Sequence, residues 1–349
     1  LNGDSRPDVV SSSKKGLTIH LQKNAKALSA TALERWRVPG GRPQDNYGSG
    51  LSAKDALARM EVPEGFAVDL IAAEPQITQP IAMNFDSRGR LWVIEGHTYP
   101  VREPGNHHEG KDRILIFEDG DGDGTFETRK VFAEKINLAS GIAIGFGGVY
   151  VGAAPYLLFY PDKDQNDLPD GEPEILLDGW GYEDTHETLN AFTWGPDGWL
   201  YGCHGVFTHS KVGKPGTPEE KRERINAGVW RFHPVRKEFE VYAHGSSNPW
   251  GVDYDERGDF FITACVIPHF YHLSQGGRYH RQAGQHFDPW TFDDIKTIAD
   301  HAHFVGNMRN LKDIRGGAFN EEQTDTSALG GGHAHCGLVL YQADTFPAQ

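Results

Sequence analysis

Cysteine is scarce in this chain, with three in 349 residues: Cys203, Cys265 and Cys336. Three thiols cannot build a disulfide framework, and their spacing matches neither a zinc site nor a c-type haem site. Each sits beside small or strand-forming residues, so the expectation is a buried, inert thiol. Long apolar runs are also missing, and no stretch approaches the ~18 residues of a membrane span. Positive charge is in short supply. Lys and Arg number 34 against 49 Asp and Glu, for a formal net charge of −15. No basic run reverses that balance locally, which excludes a nucleic-acid partner. Sustained helical periodicity is absent from Val62 onward, so the body of the chain is not helical.

Glycine is plentiful (42) and aromatics reach 11%, a composition that suits a turn-rich β protein. Four segments share one shape, an apolar strand, a glycine turn and an aromatic strand: "PIAMNFDSRGRLWVIE", "GIAIGFGGVYVGA", "NAFTWGPDGWLYGCHG" and "WGVDYDERGDFFITAC". Their turn glycines, read as Gly89, Gly148, Gly198 and Gly258, are spaced by about 50–60 residues, the range of propeller blades. Second hairpins lie between them, and two hairpins make a four-stranded blade. The reading is an all-β propeller with four blades and, at "HAHCGLVLY", the start of a fifth. Trp92, Tyr150, Tyr201 and Phe261 should then occupy related positions in successive blades.

The flanks read differently. Residues 1–22 run turn, strand, turn, strand and resemble the last unit of an FG-GAP type repeat. Residues 23–60 read as a linker ending in a short helix, with Ser52 as N-cap and Asp55 as its capping-box acid. The propeller segment, 61–349, carries a long insertion at 274–332, rich in His, Arg and aromatics and expected to cover the channel mouth. The chain starts at Leu1 and stops after a strand-like "GLVLYQ", so it reads as a fragment.

The stretch "LSAKDALARMEVPEGFAVDLIAAEPQITQPIAMNFDSRGRLWVIEGHTYP", with "HETLNAFTWGPDGWLYGCHG", "DDIKTIADHAHFVG" and "GGGHAHCGLVLYQADTFP", resembles the membrane-bound dehydrogenase domain abundant in planctomycetes and verrucomicrobia. The likeness covers about residues 51–349. That family is similar, more distantly, to soluble glucose/sorbosone dehydrogenases that bind pyrroloquinoline quinone. The resemblance implies a six-bladed ring and an extracytoplasmic, quinone-dependent dehydrogenase acting on a sugar or alcohol. A cytochrome c-type protein would be its electron acceptor. The alternatives are a calcium- or transition-metal-dependent hydrolase or lactonase, and a non-catalytic carbohydrate-binding propeller.

By the same resemblance His186, just ahead of an inner strand, is the general base that takes the alcohol proton. An imidazole suits that task near neutral pH. A hydrogen-bonded polar residue at a strand entrance is the plainer reading. Asn190, Asn248 and His335, at inner-strand entries, are the expected cofactor contacts. "HGSSNPWG" matches the relatives' Arg-Asn-Pro-x-Gly entry, but Ser247 stands where arginine is expected, which removes a bidentate partner for a quinone carboxylate.

Two His-x-His pairs, His301 with His303 and His333 with His335, each point two imidazoles to one side if they lie on strands. Together they would suit zinc, copper or iron; hydrogen-bonded pocket histidines are the alternative. The loop "DGDGDGTFE" places Asp119, Asp121 and Asp123 in the alternation that wraps calcium, although Lys130 stands where an EF-hand needs its twelfth-position glutamate. "DKDQNDLPDG" is a weaker second candidate. Plain hairpin turns explain both loops without a metal. Tyr99, Arg102, His107 and His108 follow the first blade's inner hairpin and either line a polar cleft or form an exposed loop.

Overall fold

The computed structural model describes residues 8–13, 16–22, 51–62, 66–265, 270–281, 286, 293–298 and 336–343, and of residues 8–22 the backbone alone. Strands β1 (Asp8–Ser13) and β2 (Gly16–Gln22) form a hairpin that pairs with β3 (Phe66–Ala72), Gln22 opposite Phe66. The propeller segment's first strand therefore shares a sheet with the N-terminal hairpin. Helix α1 (Ala53–Leu57) begins as its sequence suggests: Ser52 Oγ accepts from Asp55 N at 3.1 Å and donates to the Asp55 carboxylate at 2.7 Å. No helix among the described residues is long and apolar enough to cross a membrane.

Four sheets follow in order. The first is β4 (Pro80–Phe85), β5 (Leu91–Glu95), β6 (Asp112–Glu118) and β7 (Thr128–Ile136). The second is β8 (Ala139–Gly145), β9 (Gly148–Ala153), β10 (Tyr156–Pro161) and β11 (Glu174–Asp178). In the third, β12 (Asn190–Trp194) and β13 (Leu200–His204) are joined by a small hairpin, β14 (Ser210–Val212) with β15 (Glu223–Ile225), to β16 (Gly228–His233) and β17 (Glu238–Gly245). The fourth holds β18 (Pro249–Tyr254), β19 (Phe260–Ala264) and β20 (Phe270–Leu273) among the described residues. From the insertion, β21 (Arg278–Tyr279) returns to pair in parallel with β17, on the third sheet's outer edge.

The apolar cores decide between a propeller and a sandwich. Each core lies between consecutive sheets. Trp92 and Ile94 meet Val149 and Val151; Tyr150 and Leu157 meet Leu200 and Trp230; Tyr201 and Val229 meet Phe260 and Ile262. Each middle sheet is therefore apolar on both faces, as radial stacking requires. On the second strand of every blade, Leu91, Val149, Leu200 and Phe260 face backwards, while Trp92, Tyr150 and Tyr201 face the next blade. Phe261 holds the same register as Trp92 and Tyr201, one rung beyond the turn, and stacks on Phe270. The fold is a propeller, with four blades visible.

Three of the inner turns are alike. Asp86–Arg90, Gly195–Trp199 and Asp255–Asp259 each close with a backbone bond of 2.9–3.1 Å and place a glycine at φ near 80°. The second blade departs from the expected pattern: its turn is only two residues, Phe146 (φ 51°) and Gly147 (φ 78°), and Gly148 is already in β9. Positive φ at both positions is the type I′ hairpin geometry, which needs no longer loop. Small residues on this blade make room for the next. A Cβ on Gly152 would come within 2.8 Å of both Phe192 and Leu189.

The second acidic loop is not a calcium candidate in this geometry. Its Asp167 accepts from Arg90 at 2.6 Å and from Lys130 at 2.6 Å, and Arg90 also holds Asp86 at 2.8 Å. The carboxylate thus serves as the counter-ion of a buried guanidinium on the preceding blade. Residues 336–343 lie along β18, with Gly337 N donating to Trp250 O at 2.5 Å and Leu340 N to Asp253 Oδ2 at 2.7 Å. This is where the first strand of a fifth blade belongs.

Candidate functional site

Strands β4, β8, β12 and β18 succeed one another round the axis, so their entries share one face. Gln79 (φ 46°), Leu138 (φ 59°) and Asn248 (φ 49°) turn the chain into three of these strands from the left-handed region. The segments 96–111, 179–189 and 205–227 gather on the same face because each ends or begins at a strand entry.

His186 sits there on a one-turn 3-10 helix, Thr185–Glu187. Asp184 caps that turn, accepting from His186 N at 3.0 Å, and the same oxygen lies 2.8 Å from His186 Nδ1. One carboxylate thus sets both backbone and imidazole. The ring is 70% exposed and meets Tyr99 edge to face, the ring centroids 5.6 Å apart. Thr185 Oγ1 donates to Pro100 O at 2.6 Å, tying the turn to the first blade's loop. From that loop Arg102 donates to the carbonyls of Ala154, Glu103 and Gly105 at 3.0–3.1 Å and lies 5.3 Å over Tyr182. Among the described residues Arg102 has no carboxylate partner. Tyr99 and Arg102 therefore meet the His186 turn. His107 and His108 go elsewhere: burial pushes His107 down in pKa as it packs on Tyr156, and His108 pairs with Glu172 at 2.7 Å.

The two asparagines are engaged in framework bonds. Asn190 is fully buried and donates to Thr188 O at 3.0 Å, while its Oδ1 has no hydrogen-bond partner among the described residues. Asn248 Oδ1 accepts from Val206 N at 2.8 Å. Ser247 is buried beside it. His301, His303, His333 and His335 lie outside the described residues. The described part of the insertion packs on the third blade, where Tyr279 is buried, Arg278 pairs with Asp294 at 2.7 Å and Arg281 donates to Asn226 O at 2.5 Å.

Sequence reasoning gave no role to Glu187, the residue after His186. The residue is 5% exposed, its Oε2 has no hydrogen-bond partner among the described residues, and burial pushes its pKa up to about 9, against a bond from Cys265 that acts the other way. The expectation of three inert cysteines also needs correction. Cys203 is buried, and burial lifts its thiol to about 12. Cys265 and Cys336, however, approach to 3.9 Å, and Cys336 is exposed. Nothing in their spacing signals the meeting, which depends on how β18 is flanked.

On the opposite, turn-bearing end of the first blade, Asp119, Asp121, Asp123 and Glu127 bring one carboxylate oxygen each within 4.8 Å of the others. Glu127 supplies the fourth carboxylate that Lys130 cannot. These carboxylates also bond the loop's own backbone, as Asp119 does to Gly122 N at 2.7 Å and Gly124 N at 2.8 Å. Two clefts, of 420 and 540 Å³, open beside Arg113 and beside Arg222, and neither is lined by His186.

A family model described as a domain of unknown function, DUF7133, matches residues 52–349. The chain belongs to the DUF7133 family. No curated protein matches its sequence. Solved structures similar to this DUF7133 chain include the holo form of the pyranose dehydrogenase PQQ domain from Coprinopsis cinerea. That likeness has 14% identity and a TM-score of 0.39, over 60% of this chain and 47% of that one. Another is the PQQ-bound aldose sugar dehydrogenase from Streptomyces coelicolor, with 16% identity and a TM-score of 0.40, over 62% of this chain and 66% of that one. The DUF7133 chain thus spans between about half and two thirds of these neighbours.

Proposed function

We propose that the strand-entry face oxidises a hydroxyl group of a sugar or alcohol, with His186 as the base and pyrroloquinoline quinone as the hydride acceptor. The observation that carries this reading is the Asp184–His186 pair at 2.8 Å on an otherwise exposed ring. With Nδ1–H donated to the carboxylate, Nε2 keeps its lone pair and faces outward, ready to take a hydroxyl proton. Asp184 then offsets the positive charge that develops on the imidazole.

The quinone is a planar tricarboxylate, so its site needs a cation and flat side chains. Ser247 does not provide the cation. Arg102 fits in its place, from another blade: it is stacked on Tyr182 and has no carboxylate partner among the described residues. Tyr99 and Tyr182 leave about four tenths of their surface open to stacking. When bound, the quinone would supply the two-electron sink that a hydroxyl oxidation needs. The chain's own residues orient the hydroxyl against Nε2, hold the proton and balance charge.

Quinone binding read by absorption, followed by dye reduction with a panel of sugars and alcohols, tests this directly. His186→Ala should lower turnover by about 10²–10⁴-fold. Its melting midpoint should stay near the parent's, because the ring's hydrogen bond is to an exposed-side carboxylate and no core contact is lost. Absence of quinone binding, or undiminished turnover in the variant, would overturn the proposal. We further propose that the Asp119–Asp121–Asp123–Glu127 loop takes calcium as a structural ion. Calcium should then raise the melting midpoint of the chelator-treated protein, and Asp121→Asn should blunt that rise.

A further inference from the structure

The two thiols at Cys265 and Cys336 come from positions 71 residues apart, and each is placed by a separate backbone anchor. Cys265 follows β19, and its N–H donates to Asn248 O at 2.9 Å, directly ahead of β18. Cys336 opens the segment that runs along β18, fixed by Gly337 N to Trp250 O at 2.5 Å and by Gln342 Nε2 to Tyr254 O at 2.5 Å. Both ends of the pair are therefore referred to the same strand. The sulfurs stand 3.9 Å apart, in contact but unbonded. A disulfide needs about 2.05 Å, and side-chain rotation can close most of that difference while the strand anchors stay in place. The two thiols differ in access: Cys336 is exposed and Cys265 is buried. An exposed attacking thiol beside a buried resolving thiol is the arrangement of reversible redox pairs.

We propose that Cys265 and Cys336 form a reversible dithiol–disulfide site that staples the 336–343 segment to the fourth blade. The oxidant is a small-molecule disulfide such as oxidised glutathione. Cys336, as thiolate, attacks one of its sulfurs, forming a mixed disulfide and expelling one thiolate. Cys265 then gives its proton to water, and its sulfur attacks Cys336 Sγ, breaking the bond to the external sulfur and releasing the second thiolate. Two protein thiols are oxidised and one external disulfide is reduced to two thiols. The same step removes the thiol proton that engages the Glu187 carboxyl, so the staple reports directly to the turn carrying His186.

The test uses the full chain, purified under reductant, desalted and incubated with oxidised glutathione. Intact mass should fall by two hydrogens, and a non-reducing peptide map should yield one species joined through Cys265 and Cys336. Labelling of the denatured protein should find Cys203 as the single remaining thiol, and dithiothreitol should restore all three cysteines. In Cys265→Ser the exposed Cys336 has no resolving partner and should retain glutathione as a stable adduct. Cys336→Ser, at an exposed position that the fold tolerates, should show neither adduct nor mass loss. A stable adduct on Cys336 in the parent chain would overturn the proposal. So would a linkage through Cys203, or disulfide-bonded dimers in place of the internal bond.

Discussion

Glu187 is a carboxyl group sealed under the His186 turn, close to three thiols and, among the described residues, to no cation. Its proton affinity has a consequence for stability whose sign can be worked out. The folded chain keeps the proton up to about pH 9, whereas the unfolded chain releases it near the ordinary value of 4.5. Between those limits the unfolded state binds fewer protons, so this group lowers stability as pH rises through the window. Glu187→Gln removes the titration. Melting midpoints taken across that range should diverge, the variant gaining most at the alkaline end and nothing near pH 4.5. Parallel curves would mean that the carboxylate finds a partner. His204 works in the opposite sense. Its buried ring lies 2.7 Å from Ser210 Oγ and 3.0 Å from Gly205 O, and burial depresses its pKa to about 4. The neutral ring is favoured by folding, so its contribution is lost as pH falls below 6.5 toward 4.

At the scale of elements, the inner hairpins carry the most specific contacts. Arg90 on the first blade's turn is 3% exposed and is held by Asp86 and by Asp167 of the second blade. Arg90→Leu leaves Asp86 without its close cation in a buried place, while Asp167 keeps Lys130 and Arg88, and removal of one partner of a buried pair typically costs about 3–5 kcal/mol. Chemical denaturation should register that loss, with Asp86→Asn in the same background recovering part of it. Gly152→Ala forces a methyl group against Phe192 and Leu189, and overpacking of this kind costs about 1–3 kcal/mol. A parent-like midpoint would show that the third blade can shift outward. These elements also mark what the chain revealed before it was folded. Glycine turns followed by aromatic strands located every inner hairpin. The type I′ turn at Phe146–Gly147 was misread by one residue because "GFGG" offers two glycines and only register chooses between them. The loop at 162–170 was read as a weaker calcium candidate because Arg90, its real counter-ion, lies 77 residues earlier.

For the whole molecule, the spacing of repeats was enough to give a propeller, since each repeat has apolar residues for two faces and only radial stacking buries both. The site was legible in a different degree. His186 stood out because it precedes a recognisable strand, and Tyr99 because it follows one. Their meeting across two blades depends on the path of residues 96–111, which no local pattern records. The buried Glu187 and the thiol pair were hidden for the same reason: each is defined by what approaches it from another blade.

The Arg90–Asp167–Lys130 contact has one more consequence, and it concerns ancestry. Repeats that arise by duplication start out interchangeable, and a ring of identical blades tolerates shuffling. Here the first blade carries a guanidinium whose acceptor exists on the second blade, while the equivalent turns of the third and fourth blades begin at Gly195 and Asp255 and end in Trp199 and Asp259. The first two junctions have each acquired a contact of their own, the Arg90–Asp167 pair and the Gly152 slot for Phe192. Exchanging the second and third blades in a chimaera would strand a buried cation at one junction and press an aromatic ring against a missing glycine slot at the other. The modules have thus lost their modularity: the order of the blades is now written into the seams between them.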